Sequence, residues 1–317
     1  MKKLVYGLLT LLIIGIAGTI VSVSASGGFS FDTYSLEDTE VVNGKNIDHI
    51  EVDISATDLK VISTNDSDIT INLNGKISRK YEDEIKLDVK EKGDSLKISI
   101  AGEDQIKFNI GVLIVDTNLE IRLPEKLYES IRISASSGDI EIADHKAKEI
   151  MLETNSGSIF ADDIVSDNDF TMMASSGEIH SNNNRAEKFE LKANSGDLIV
   201  DNQTAKKSIF NTSSGDINLT NAIGELEIEA SSGSIMIDND EVTGHIDARA
   251  SSGDVDVEFN NEPDSLAIRF NGSSGKGEID FKNVKYEEKS ENKIVGEIGS
   301  GEYELTVNTN SGDFNLR

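Results

Sequence analysis

A serine–glycine motif recurs along most of this chain of 317 residues at nearly constant spacing. Successive motif glycines lie 18 to 20 residues apart over the first seven copies, and the spacing lengthens after that. A period near 20 residues indicates a solenoid, in which one small unit stacks on the next, rather than a closed domain. The nine motif glycines are Gly138, Gly157, Gly177, Gly196, Gly215, Gly233, Gly253, Gly275 and Gly312.

Apolar residues alternate with other residues on both sides of these glycines. In the first copy Ile133 lies five residues before Gly138, and Ile140 and Ile142 lie two and four residues after it. Apolar residues at every second position line one face of a β-strand, so each copy predicts strand, turn, strand. Ser181 is an exception, because it places a hydroxyl where most copies have an apolar residue.

The residues before each glycine predict a sharp corner. Serine always precedes the glycine, serine or asparagine precedes that serine, and a small residue comes before both, as in Ala135, Ser136 and Ser137. Glycine adopts positive φ at no steric cost, and short polar side chains bond the backbone groups that a corner leaves unpaired. We therefore expect the nine glycines to be structural residues that form the corners through their conformational freedom.

A second corner is expected five to six residues after each glycine, where residues such as Asp144, Asp201 and Asn202 lie. A short segment with one apolar residue follows, so a coil of about 19 residues should have three sides and about three corners. The predicted fold is all-β, a parallel β-solenoid whose nine coils stack at about 4.8 Å and span roughly 40 to 45 Å. A stack of antiparallel hairpins is the alternative, since Ser-Gly also turns hairpins.

The N-terminus carries an uncharged apolar stretch, residues 4–23, directly after Lys2 and Lys3. Its 20 residues are long enough to span a membrane, and the lysines favour a cytoplasmic N-terminus. The alternative is a signal peptide cleaved near Ala25. Residues 1–25 are thus predicted to be a transmembrane or signal helix. The rest of the chain would then lie outside the cell, held on the cell membrane by a single pass or secreted after cleavage, and without cysteine it must fold without disulfides.

The remaining chain divides into four predicted parts. Residues 26–46 are rich in Gly, Ser and Thr and predict a spacer. Residues 47–125 carry irregular alternating runs, which begin with a degenerate coil lacking the glycine and should cover the first regular coil. Residues 126–275 hold the regular repeats. Residues 276–317, where the period breaks, are expected to form divergent coils and a C-terminal cap.

The charge of the chain limits its partners. The formal net charge is −28, and because Lys2 and Lys3 are the only charges before Asp32, the part after the apolar stretch carries −30. Such a surface repels nucleic acid and anionic polymers and attracts cations or a basic partner. The simpler interpretation is that the acidic residues keep an outward-facing polar surface soluble.

The repeat resembles a known family. The nine Ser-Gly units, the degenerate first coil, the junction from Arg122 through Pro124 to Glu125 and the single N-terminal apolar segment are similar to the bacterial putative-adhesin family of β-strand repeats. That family includes LiaG-like membrane-anchored proteins associated with cell-envelope stress systems of Gram-positive bacteria. The resemblance covers about residues 47–317. It implies an extracellular β-solenoid, and it brings no catalytic residues and no cofactor.

One column of side chains is a candidate for cation binding. A mostly acidic residue follows each glycine, and stacked carboxylates about 5 Å apart repel each other unless a cation such as Ca²⁺ bridges them. The alternative is that each carboxylate bonds backbone donors at its own corner, because serines interrupt the column and the glycine–aspartate repeat of calcium-binding solenoids is absent. The candidate calcium ligands are Asp139, Glu178, Asp197, Asp216 and Asp254.

No pattern predicts catalysis. Parallel β-helices host polysaccharide-active enzymes, but the acidic residues nearest to such a site, among them Asp169, Glu187 and Glu190, are ordinary for so charged a chain. The four histidines occupy different places in the repeat and cannot stack into a metal site. We therefore expect a non-enzymatic adhesin or envelope-associated surface protein without cofactors. Its unknown partner would be a cell-envelope component or a membrane protein, and an accessory role in envelope stress is the alternative.

Overall fold

The computed structural model of the chain describes Leu12, residues 32–103 and residues 115–317. The predicted N-terminal helix lies outside the described residues except for Leu12. None of the helices within the described ranges has the length and hydrophobicity needed to cross a membrane. The described chain forms 27 strands and two single-turn 3₁₀ helices, Gly44–Asn46 and Arg79–Tyr81.

The strands fall into an N-terminal group, a regular body and a C-terminal group. The N-terminal strands are β1 (Thr33–Asn43), β2 (His49–Ile54), β3 (Asp58–Thr64), β4 (Asp68–Ser78), β5 (Lys86–Lys92), β6 (Ser95–Ala101) and β7 (Val115–Pro124). The body strands are β8 (Leu127–Ala135), β9 (Ile140–Ala143), β10 (Lys146–Thr154), β11 (Ile159–Asp162), β12 (Val165–Ala174), β13 (Ile179–Asn182), β14 (Arg185–Ala193), β15 (Leu198–Asp201), β16 (Thr204–Thr212), β17 (Ile217–Thr220), β18 (Ile223–Ala230), β19 (Ile235–Asn239), β20 (Ile246–Ala250) and β21 (Val255–Phe259). The C-terminal strands are β22 (Leu266–Gly272), β23 (Gly277–Ile279), β24 (Lys285–Lys289), β25 (Lys293–Ile298), β26 (Tyr303–Thr309) and β27 (Phe314–Leu316).

Each coil of the body gives one strand to each of two facing sheets. The strand before the motif glycine joins a sheet of 14 strands, here the long-strand sheet, and the strand after it joins a sheet of 13, the short-strand sheet. Pairing within the body is parallel and in register, so that Leu152 lies between Ile133 and Met172. The parallel solenoid is confirmed by this pairing, and the stack of hairpins is excluded for the body.

The predicted third side of the coil does not form a separate sheet. The segment expected there is the first part of the long strand, and a register shift between Ala147 and Glu149 marks the place of the predicted corner. Similar shifts occur in β12 and β16. The buried residues at this point, such as Ala147, Ala186 and Ala205, are small. The coil therefore narrows here, and two layers replace the predicted triangle.

The core lies between the two sheets and is formed by the alternating apolar positions. Phe170, Phe189 and Phe210 stack edge to face in successive coils, with ring centroids 5.4 and 6.0 Å apart. Ser181, the exception in the sequence pattern, is buried and accepts a hydrogen bond from Asn184 Nδ2 at 2.7 Å. Its hydroxyl thus satisfies an amide that is itself buried at the second corner.

The motif glycines are needed for close packing and not for positive φ, which corrects the prediction. All nine are buried, and none of them has a left-handed backbone. A Cβ placed on Gly196 would lie 1.8 Å from the carbonyl oxygen of Gly177 in the preceding coil. Coils therefore stack backbone on backbone at this corner, and any side chain would force them apart.

Positive φ belongs instead to the second corner. Asp144, Asp163, Asn183, Asn202 and Asn221 have φ between 51° and 61°. Aspartate and asparagine tolerate this left-handed conformation better than other residues with a Cβ, because their short side chains bond locally. The Asp and Asn residues of this corner were correctly located from the sequence. They, and not the motif glycines, adopt the positive φ that we had assigned to the glycines.

The N-terminal coils cover the body, and their order along the stack differs from their order in the sequence. The degenerate coil, β2 and β3, packs directly on the first body coil, and Thr57 stands where later coils have glycine. The strands β6 and β7 then form a coil outside it. Buried Glu103 accepts hydrogen bonds from Thr57 Oγ1 and from the Ser55 amide, and these bonds fill the corner without a glycine. Part of the predicted spacer forms β1, the edge strand of the short-strand sheet.

The C-terminal coils stack out of sequence order. The last coil, β26 and β27, lies between β20 and β21 on one side and β22 and β23 on the other. Accordingly, a Cβ on Gly312 would meet Gly253 O, and one on Gly275 would meet Gly312 O, each at 1.8 Å. The antiparallel pair β24 and β25 continues the long-strand sheet beyond β22. The expected terminal cap is thus β22 to β25, while the end of the described chain is an inner coil.

Candidate functional site

The column of residues after the motif glycines forms a hydrogen-bond ladder along the short-strand sheet. Asp139 Oδ1 accepts the Ser158 amide at 2.7 Å, and Ser158 Oγ accepts the Glu178 amide at 3.3 Å. The ladder also follows the inserted coil, since Asp254 accepts the amide of Asp313 at 2.8 Å. Each acceptor therefore ties its coil to the next one in the stack.

The five candidate calcium ligands lie in this one column. Asp139, Asp197, Asp216 and Asp254 each give an oxygen to a backbone amide of the neighbouring coil. Glu178 differs, because its carboxylate contacts His180 Nε2 at 2.9 Å. In the described ranges, no three His, Asp or Glu side chains come together in a way that could hold a metal ion. The alternative expectation was that each carboxylate bonds backbone donors at its own corner. The aspartates do bond backbone amides, but each amide belongs to the next coil.

A column of partly apolar side chains runs up the middle of the outer face of the short-strand sheet. Phe160, His180, Ile199, Asn218 and Met236 occupy equivalent positions in successive coils. The rings of Phe160 and His180 stack with centroids 4.8 Å apart and planes at 20°, and Met236 is 52% exposed. These side chains form a continuous exposed strip, which we call the apolar column.

Carboxylates flank the apolar column on both sides. The ladder residues lie two positions before it in each strand, and a second outer column lies two positions after it, about 7 Å away along the strand. That second column contains Asp162, Asn182, Asp201, Thr220, Asp238 and Glu258. Among the described residues, none of its four carboxylates has a Lys or Arg ion-pair partner.

The two faces of the body carry different charges. The short strands β9 to β21 contain six acidic residues and neither lysine nor arginine. The long strands hold every basic residue of the body, and most of these pair with carboxylates of the same sheet, as Lys148 pairs with Glu129 and Lys206 with Glu187, both at 2.7 Å. Sequence reasoning missed this asymmetry, although every Lys and Arg of the body lies in the half of the repeat before the glycine.

Two of the acidic residues considered for an enzyme site, Glu187 and Glu190, are held in ion pairs. Glu190 lies between Lys188, at 2.8 Å, and Lys192, and its side chain is only 17% exposed. Hydrogen bonds from Lys188 and then from Lys192 lower the pKa of this carboxyl below its ordinary value. Glu187 pairs with Lys206. The lowered pKa keeps Glu190 ionised, and an ionised carboxylate has no proton to donate as a general acid.

A cavity of about 610 Å³ lies where the N-terminal coils meet the body. It is lined by charged residues, and one of them, Lys126, is bound to Gly44 O at 3.2 Å and to Asp48 at 2.9 Å. His145 also lines it, and burial lowers the pKa of the imidazole to about 4. The neutral Nε2 has no hydrogen-bond partner among the described residues. No nucleophile is positioned against it there, so we assign it no chemistry.

Comparison with known proteins gives one family and several related structures. The family model described as Toastrack DUF4097 matches residues 47–317. A solved structure of a putative lipid binding protein from Parabacteroides distasonis ATCC 8503 is 15% identical, with a TM-score of 0.52, over 89% of this chain and 96% of that one. A putative adhesin from the same organism is 11% identical, with a TM-score of 0.45, over 88% and 97% of the two chains.

A putative adhesin from Bacteroides fragilis NCTC 9343 is also 11% identical, with a TM-score of 0.38, and the match covers 91% of this chain and 99% of that one. No curated protein matches the chain. At 15% identity, the match to the putative lipid binding protein supports the fold alone. It does not select a ligand or an activity for this chain.

Proposed function

Since this chain belongs to the Toastrack DUF4097 family, we propose that it is a non-enzymatic surface protein that works by contact along its stacked coils. The observation that carries the proposal is the apolar column with its flanking carboxylates, which occupies the same outward positions coil after coil. A repeated surface binds through many weak contacts, which together give useful affinity. The partner would be a component of the cell envelope or a membrane protein.

The proposed location is the outer side of the cell membrane. The apolar stretch of residues 4–23 would attach the chain by a single pass, or direct its secretion if it is cleaved. The exported part carries −30, which suits a surface that must stay soluble and avoid other anionic polymers. In this arrangement the coils are displayed to the envelope, and no cofactor takes part.

The test is a binding assay with the full chain, purified in a non-ionic detergent, against isolated wall and envelope fractions. Saturable binding that survives a salt series would support contact through the displayed surface. Addition of Ca²⁺ in a parallel series tests whether a cation contributes. Failure to bind any fraction would contradict the proposal. The alternative function would then be an accessory role in envelope stress. Crosslinking of the chain to membrane proteins would test that role.

A further inference from the structure

On the outer face of the short-strand sheet, most carboxylates of the body strands lack a basic partner among the described residues. Its six strand carboxylates include only one with a basic partner among the described residues, Glu141, which pairs with Lys60 at the N-terminal end. On the long-strand sheet, by contrast, eight ion pairs lie on the body strands, and five of them connect different strands. An unpaired carboxylate on a solvent-exposed sheet keeps its full attraction for an external cation.

The same face also exposes apolar side chains, which soluble repeat surfaces usually avoid. Met236 is 52% exposed, and Phe160 and Ile199 are partly exposed in the same column. Shallow cavities lie at the two ends of this column. One of about 450 Å³ is lined by Phe160, and one of about 190 Å³ is lined by Met236 with Asp238 and Glu258. This face therefore has apolar side chains along its middle and carboxylates on both sides, all within the width of the short-strand sheet.

We propose that this face binds a basic polypeptide segment that carries apolar side chains, with the apolar groups on the apolar column and lysine or arginine on the flanking carboxylates. The proposal rests on the proposed function, because it names the partner chemistry of the same surface. The fit follows from distances, since the flanking columns lie about 7 Å from the centre and a lysine or arginine side chain can reach that far. Small cations satisfy the carboxylates but leave the apolar column exposed.

The position of contact can be tested with the methionines of the wild-type chain. Met236 lies on the short-strand face, and Met151, which is 36% exposed, lies on the long-strand face. The probe is a synthetic peptide of alternating lysine and leucine, about twelve residues long, so that at roughly 4.8 Å per coil it covers several coils. With methyl-labelled full chain in non-ionic detergent, the peptide should shift the Met236 methyl signal and leave that of Met151 unchanged.

Matched variants test the energetics. Met236→Ser should weaken binding of the peptide about threefold or more, since it removes apolar contact, whereas Met151→Ser should not. The double change Asp201→Asn and Asp238→Asn should weaken it about tenfold at low salt, and the control pair Glu153→Gln and Glu229→Gln should have little effect. Control peptides with glutamate for lysine, or serine for leucine, should bind much more weakly.

The proposal is overturned if the peptide shifts both methyl signals alike, or if variants on the two faces weaken binding equally. Those results would indicate attraction to net charge without a defined face. The result is separable from the test of the proposed function. If the chain binds envelopes but variants of the short-strand face have no effect on peptide binding, the surface role stands and only this partner chemistry is rejected. If the peptide binds that face but envelopes do not bind, the partner chemistry stands and the surface role is rejected.

Discussion

At the residue scale, the repeated glycine shows how one residue type can be conspicuous for an unexpected reason. Its backbone is ordinary at all nine motif positions, and what it provides is the absence of a side chain between stacked coils. The positions of these glycines could be read from the repeat. A periodic glycine, however, looks the same in a sequence whether the fold needs its positive φ or the absence of its side chain. The Asp and Asn residues of the second corner, such as Asn202, show positive φ directly.

Replacing Gly196 by alanine tests whether the motif glycine is needed for the absence of a side chain or for its backbone conformation. Its Cβ would lie 1.8 Å from Gly177 O, so we expect the free energy of unfolding to fall by about 3 kcal/mol. The control is Gly93→Ala, because Gly93 has a φ of +68° and no atom within 4 Å of a new Cβ, and it should cost about 1 kcal/mol. Urea unfolding of both variants gives the comparison. A smaller loss for Gly196→Ala than for Gly93→Ala would contradict backbone stacking.

Buried His145 should make the fold sensitive to mild acid. Burial lowers the pKa of this imidazole from 6.5 to about 4 in the folded chain. The unfolded chain therefore binds more protons between those pH values, and stability that is full above pH 6.5 is lost as pH falls through the window, by about 3 kcal/mol. His145→Asn, the residue found at the equivalent Asn184, should lack this loss. Urea unfolding at pH 7 and 4.5 measures it, and an imidazole that titrates near 6.5 would refute it.

At the element scale, strand positions could be predicted and the order of coils could not. Alternation around the motif placed β8 to β21, because each strand buries every second residue against the same core. Register and pairing within the body then followed from the equal length of the repeats. The inserted coil was missed because Leu305, Val307 and Phe314 match the core positions of any coil, so their pattern gives no information on which neighbours they choose.

Engineered disulfides can test the inserted coil, since the chain has no cysteine. Arg249 and Asn308 are paired across β20 and β26, and a disulfide should form between cysteines at these positions. Asn271 also pairs with Asn308 but from the other side, so Arg249 and Asn271 lie two strands apart, about 10 Å, beyond disulfide reach. Mass spectrometry under non-reducing conditions distinguishes the pairs. A disulfide between Arg249→Cys and Asn271→Cys would show sequential stacking instead.

At the scale of the whole molecule, the distribution of charge matters more than its sum. The net charge of −28 was visible at once, and it predicted solubility and a preference for basic partners. Its segregation onto one face depends on how the repeat folds, because the same residues in a three-sided coil would be spread over different surfaces. Two layers put most of the basic residues of the body beside carboxylates and leave the short-strand face acidic.

Salt should stabilise the protein without a specific cation effect. Screening of the acidic short-strand face should raise the melting temperature by roughly 2 to 4 °C between low and high NaCl. Because the ladder aspartates already accept backbone amides, CaCl₂ at matched ionic strength should give the same rise. Differential scanning calorimetry compares the two salts. A distinctly larger shift with Ca²⁺, abolished by Asp197→Asn with Asp216→Asn, would establish calcium binding in the ladder.

The inserted coil also has a consequence for the time course of folding. The body coils from β10 to β21 can be added one at a time as the chain is made, since each packs on the coil before it in the sequence. The next long-sheet strands, β22, β24 and β25, pair with one another but not with the body strands until residues 303–317 arrive and take the place between. The final two coils must therefore form together, through contacts distant in sequence, and we expect this joint step to be the slowest of the folding reaction.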